Sequence, residues 1–135
     1  MWKKNEKRIL LIEDNDLLIK IYTIKLKKEG YTIDVCHNGR EGLEKLRNNY
    51  YSLILLDLMM PIMDGYDMLR NYQSSKIYKK APIIILTNLG QQEDISSAEK
   101  LGITKNNYIV KAKVTPNEVI SRINETIKEN QLKNN

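Results

Sequence analysis

The run Leu53-Ile54-Leu55-Leu56 contains no polar residue, and Asp57 follows it at once. A strand with one solvated face alternates apolar and polar side chains, whereas an unbroken apolar run is what a central parallel strand, covered on both faces, needs. A charge inside that run would be costly, but at its end it is solvated where the strand surfaces into a loop marked by Pro61 and Gly65. Asp57 is therefore placed for chemistry.

The rest of the chain repeats this theme of short apolar runs separated by amphipathic segments, with no internal repeat, low-complexity tract or linker. "RILLIE" is followed by an acidic loop and a helical pattern in which Leu17, Ile21 and Ile24 share a face, stopped by Gly30. "YTIDV" alternates like a strand near a sheet edge, and "HNGREGLEKLRNN" reads as a turn and short helix that bring Leu43 and Leu46 together. After Asp57, "YDMLRNY" reads as a short helix, "PIIIL" as a second buried strand, "QQEDISSAEKLG" as a helix ending at Gly102, and "NYIV" as the last strand. Thr115, Pro116 and Glu118 stand at N-cap, N1 and N3 of a final helix striped by Val119, Ile120, Ile123 and Ile127. Five strand-helix units in succession predict an α/β fold, a parallel sheet with helices on both faces.

Length and composition narrow the function classes. At 135 residues the chain is predicted to form one domain, residues 1–135 with a core over about 8–129. No stretch approaches the roughly 18 apolar residues of a membrane span, and "MWKKNEKR" runs into "ILLIED" too quickly for a secretory signal, so a cytoplasmic protein is expected. The lone Cys36 excludes an internal disulfide and reads as a small core residue. The formal charge of +5 is spread over "KLKKEG", "KIYKK" and "KNNYIVKAK", a solvated face with no compact nucleic-acid patch.

In a parallel sheet the loops after the strands gather at the carboxyl edge. The predicted strands end at Glu13 and Asp14, at Asp57, at Thr87 and at Lys111, so three carboxylates, a hydroxyl and an ammonium converge on one rim. Crowded carboxylates repel, and a hard cation with oxygen ligands relieves the repulsion; Mg²⁺ suits such a site because it keeps water and accepts a phosphate oxygen. Lys111 and Thr87 suit phosphoryl oxygens, and an aspartate can itself attack phosphorus to give an aspartyl phosphate. Each residue also has a structural alternative: Asp14 or Asn15 as a helix cap, Asp64-Gly65 as a turn, Lys111 as a surface lysine.

The ordered set "LLIEDN", "LILLDLMMPIMDG", "PIIILT" and "YIVK" resembles the bacterial response-regulator receiver domains of the chemotaxis-regulator type, over roughly Arg8 to Glu129. The resemblance implies a flavodoxin-like, doubly wound sheet of five parallel strands in order 2-1-3-4-5. It implies that Asp57 receives a phosphoryl group from a histidine kinase or a histidine phosphotransfer protein. Asp14, Asp57 and the backbone carbonyl of Met59 would ligate Mg²⁺, with Glu13 acting largely through water. Lys111 would pair with the phosphoryl group, Thr87 would hydrogen-bond it, and Tyr108 would swing inward as Thr87 moves. Output would pass to a downstream protein from a monomer or phosphorylation-dependent dimer, since "NQLKNN" after the last helix is too short for an effector; neither nucleic acid nor membrane is expected as a direct partner.

Three positions depart from the family pattern. Asn88 stands where a small residue usually follows the switch threonine, Ala112 replaces the usual cis proline after Lys111, and Met59 is apolar where polar residues also occur. A cis bond before Ala would cost about 2.5–4 kcal/mol, so a trans Lys111-Ala112 bond and an altered loop are predicted. Met59 cannot orient a water by hydrogen bonding, which predicts a persistent phosphoryl-aspartate. The alternatives are a pseudo-receiver that binds partners without phosphorylation, and an aspartyl-phosphate phosphatase. Met59 sits where the second acid of a phosphatase D-x-D would be, so no turnover of a separate substrate is expected.

Overall fold

The computed structural model describes residues 7–76 and 80–133; the basic chain start and part of "KIYKK" lie outside the described residues. Five strands, β1 (Arg8–Ile12), β2 (Thr32–Cys36), β3 (Leu53–Leu56), β4 (Ile83–Thr87) and β5 (Tyr108–Val110), pair in parallel in the order β2-β1-β3-β4-β5. The helices between and after them are α1 (Asp16–Lys28), α2 (Gly39–Asn48), α3 (Gly65–Ser74), α4 (Gln92–Lys100) and α5 (Pro116–Lys133).

Alternation along the strands divides the core into two layers. Leu10, Ile12, Ile54, Leu56, Ile83 and Ile85 pack on one face with Leu46, Met68, Leu69, Tyr72 and Ala98 of α2, α3 and α4. Ile9, Leu11, Leu53, Leu55, Ile84 and Leu86 pack on the other with Tyr22 and Leu26 of α1 and Val119, Ile123 and Ile127 of α5. All four residues of β3 are at most 1% exposed, which at roughly 1.5–3 kcal/mol per buried aliphatic side chain makes this strand the main hydrophobic anchor of both layers.

Local signals terminate the helices. Gly30, at φ +94°, follows α1 and lets its own N–H and that of Tyr31 reach back to the carbonyls of Lys27 and Leu26, a Schellman closure that a side chain would strain. The α5 capping box forms as the sequence predicts: the Thr115 hydroxyl accepts from the Glu118 N–H at 3.2 Å and the Glu118 carboxylate from the Thr115 N–H at 3.1 Å.

Leu17, Ile21 and Ile24 do share a face of α1, but that face looks outward, with Leu17 66% and Ile24 48% exposed. The core face is Tyr22 and Leu26, with Leu18 and Ile19 packed beside them. Apolar residues occur on both sides of this helix, so periodicity alone selects neither.

Candidate functional site

The sheet brings the strand ends together. The Asp57 N–H bonds to the Ile12 carbonyl at 3.0 Å and the Glu13 N–H to the Cys36 carbonyl at 2.9 Å, extending the ladders one residue past the strands and setting both carboxylates at the carboxyl edge. Asn15 caps α1, its side-chain oxygen accepting from the Leu18 N–H at 3.0 Å, which leaves the exposed Asp14 outside the cap. Asp64 caps α3 through the Asp67 N–H at 2.9 Å. The β3–α3 loop then folds back so tightly, with the Gly65 N–H on the Leu58 carbonyl at 3.1 Å, that a Cβ on Gly65 would collide with the Asp57 carbonyl oxygen. A glycine there keeps Asp57 where it is.

Lys111 lies between the two buried carboxylates, its Nζ 2.7 Å from Glu13 Oε1 and 3.2 Å from Asp57 Oδ2. Burial works against its ammonium, but its hydrogen bond to Glu13 and the charge of Asp57 outweigh it and raise its pKa. Burial raises the pKa of the Glu13 carboxyl, and Asp57 adds to this, while Lys111 and the N–H of Asn15 pull against it. Glu13 Oε2 also accepts from the N–H groups of Asp14 at 3.0 Å and Asn15 at 3.2 Å. The other Asp57 oxygen, Oδ1, accepts from the Met59 N–H at 3.3 Å.

One oxygen from each of Glu13, Asp14 and Asp57 lies within 4.8 Å of the others. That spacing would let one cation be shared by the three carboxylates, directly or through its bound water. Three carboxylates against one ammonium leave charge to be neutralised, and the donor set is all oxygen; the residues fit Mg²⁺.

Thr87 is fully buried at the end of β4, its Oγ1 accepting from the Leu89 N–H at 3.4 Å. Tyr108, 9% exposed, is turned inward and donates to the Leu89 carbonyl at 2.7 Å. Leu89 thus links two residues singled out in the sequence, a role that depends on its backbone and leaves no sequence signal. Asn88 and Ala112 are exposed at the starts of their loops, and Met59 is 54% exposed beside Asp57. Among the described residues no peptide bond is cis, so the Lys111–Ala112 bond is trans as expected from Ala112, and Lys111–Lys113 forms a short 3-10 turn. His37 is exposed near Glu41, away from this cluster.

The model of the response regulator receiver domain matches residues 9–124. The chain belongs to that family, whose members act in two-component signalling. It is 36% identical over 123 residues to the transcriptional regulatory protein ResD of Bacillus subtilis, covering 91% of this chain and 49% of ResD. It is 33% identical over 125 residues to the uncharacterized transcriptional regulatory protein YkoG of the same organism, covering 93% and 53%. The chain therefore spans about half the length of the curated relatives it matches. Among solved structures, the CheY-like receiver domain protein of Methanospirillum hungatei superposes with a TM-score of 0.84 at 26% identity, over 96% of this chain and 99% of that one. The receiver domain of the sensor histidine kinase PA1611 of Pseudomonas aeruginosa, solved with a magnesium ion in its active-site cleft, gives 0.79 at 26% identity over 91% and 98%.

Proposed function

We propose that this chain is a phosphorylation-dependent signalling switch in which Asp57 accepts a phosphoryl group from the phosphohistidine of a histidine kinase or a histidine phosphotransfer protein. The observation that carries the reading is the position of the Asp57 carboxylate, 3.2 Å from the Lys111 ammonium and grouped with Glu13 and Asp14. A carboxylate oxygen of Asp57 forms the new P–O bond as the P–N bond breaks, and the departing electron pair returns to the imidazole nitrogen. Bound Mg²⁺ supplies charge neutralisation at the phosphoryl oxygens. Lys111 then transfers its pairing from the two carboxylates to the phosphoryl group, and Thr87 turns its hydroxyl from Leu89 toward it. No separate substrate is turned over.

Mg²⁺ would be held by Asp14, Asp57 and the Met59 carbonyl, with Glu13 bonding to its water; Glu13 is otherwise engaged with Lys111 and two backbone N–H groups. Output passes through contacts of the α4–β5 region with another protein.

Intact mass spectrometry tests this. With Mg²⁺ and phosphoramidate, a small donor with the same P–N bond, one phosphoryl adduct should accumulate on the parent and be absent from Asp57→Asn and from a chelated sample. A folded, Mg²⁺-binding parent that takes no adduct would favour a pseudo-receiver working by protein contact alone.

A further inference from the structure

Among the described residues one methionine is open to solvent. Met59 is 54% exposed, whereas Met60 and Met63 are partly buried against the core layer of α2, α3 and α4, and Met68 is fully buried. Cys36, the other sulfur an oxidant could attack, is 1% exposed, and burial pushes its thiol up to about 11, which leaves almost no thiolate at neutral pH. Susceptibility to oxidation follows exposure, so Met59 reacts first. Its backbone is tied to the phosphoacceptor, the Met59 N–H donating to Asp57 Oδ1 at 3.3 Å, and an unbranched, flexible side chain starts from that point at the mouth of the site.

Oxidation changes the property that matters at this position. A thioether is a weak acceptor, while a sulfoxide oxygen is polar and accepts strong hydrogen bonds. A water that attacks phosphorus needs an acceptor to orient it, and Met59 supplies none until an oxygen is added. We propose that Met59 is a redox modification site: a hydroperoxide converts it to the sulfoxide, which orients an attacking water and shortens the life of the phosphoryl group on Asp57. In the first step one peroxide oxygen is transferred to sulfur as the O–O bond breaks; the sulfur loses an electron pair and hydrogen peroxide is reduced to water. In the second, water forms a bond to phosphorus as the P–O bond to Asp57 breaks, releasing inorganic phosphate and the free carboxylate. Because the Met59 side chain lies outside the core, the added oxygen acts on the site and leaves the fold as it is. This consequence rests on the phosphorylation reading; the modification itself does not.

The test begins with the full chain in dilute hydrogen peroxide without phosphodonor, sulfoxide being read by peptide mass. Met59 should oxidise ahead of Met60, Met63 and Met68; an equal or faster rate at any of these overturns the assignment. Oxidised and untreated chains are then phosphorylated with Mg²⁺ and phosphoramidate, and loss of the adduct is followed by intact mass after donor removal. The half-life should fall about fivefold with Tm unaltered, short of the roughly hundredfold of a full general base because a sulfoxide orients the water without taking its proton. An equal or longer half-life overturns the proposal, as does a shortening that methionine sulfoxide reductase with a dithiol fails to reverse. Met59→Leu has no sulfur at this position, so peroxide should leave that variant's own half-life unchanged; a fall there places the effect elsewhere and overturns the proposal too. A folded, untreated parent that takes no adduct defeats the phosphorylation reading and the redox control with it, whereas an adduct whose lifetime ignores oxidation defeats the redox control alone.

Discussion

Met59 and Ile62 set what happens at the mouth of the site. Met59 is 54% exposed and adjacent to Asp57, and its thioether is a poor partner for an attacking water. Met59→Asn should therefore shorten the lifetime of the phosphoryl adduct, about tenfold if a positioned water is worth the lower end of acid–base assistance reduced by imperfect placement; an equal or longer lifetime, followed by intact mass after donor removal, would count against this. Ile62 has φ +69° with the Met63 N–H on the Pro61 carbonyl at 2.7 Å, a γ-turn in the left-handed region, and its side chain is 71% exposed. A β-branched residue there is strained while its packing contributes little, so Ile62→Gly should raise stability by about 1 kcal/mol in urea titration. A loss of stability would mean that the Ile62 side chain holds the loop. Neither the γ-turn nor the strain could be read from "MMPIMDG", because the sequence marks a turn there without its hand.

Among the elements, those with end signals were legible and those with ambiguous faces were not. The last helix carries both its box and its stripe in sequence, and Val119, Ile120, Ile123 and Ile127 are all at most 8% exposed. Thr115→Ala removes the hydroxyl that accepts from Glu118, and the expected cost is about 1 kcal/mol, read as a fall in Tm of roughly 3–4 °C with the rate of Asp57 phosphorylation unaltered. A slowed reaction would show that the loop before α5 feeds into the site more directly than its exposed cap implies. Helix α1 is the counter-case: Leu17, Leu18, Ile19, Ile21, Tyr22, Ile24 and Leu26 surround it almost evenly, and only packing against β1 and α5 decides that Tyr22 and Leu26 turn inward. Contacts between α3 and α4 are likewise set by tertiary packing, which is why Tyr66 carries no sequence signal of its bond to the Asp94 carbonyl.

At the scale of the whole molecule, the parallel sheet does what no local segment can. Strands far apart in sequence end on one edge, and the pairings Ile12 with Leu56 and Leu56 with Ile85 align those ends so that Glu13, Asp57 and Thr87 become neighbours. This convergence was legible because apolar runs and end residues together specify it. The Lys111 bridge to Glu13 and the double hold on Leu89 were not, since both depend on side-chain reach across the edge. The central claim is that Asp57, and neither of the other two carboxylates, bonds to phosphorus. Borohydride reduction of the phosphorylated chain followed by peptide sequencing reads the bond directly, because an aspartyl phosphate is reduced to homoserine. Homoserine at position 57 alone is the expected result; reduction at Asp14 or Glu13 with Asp57 intact would contradict it.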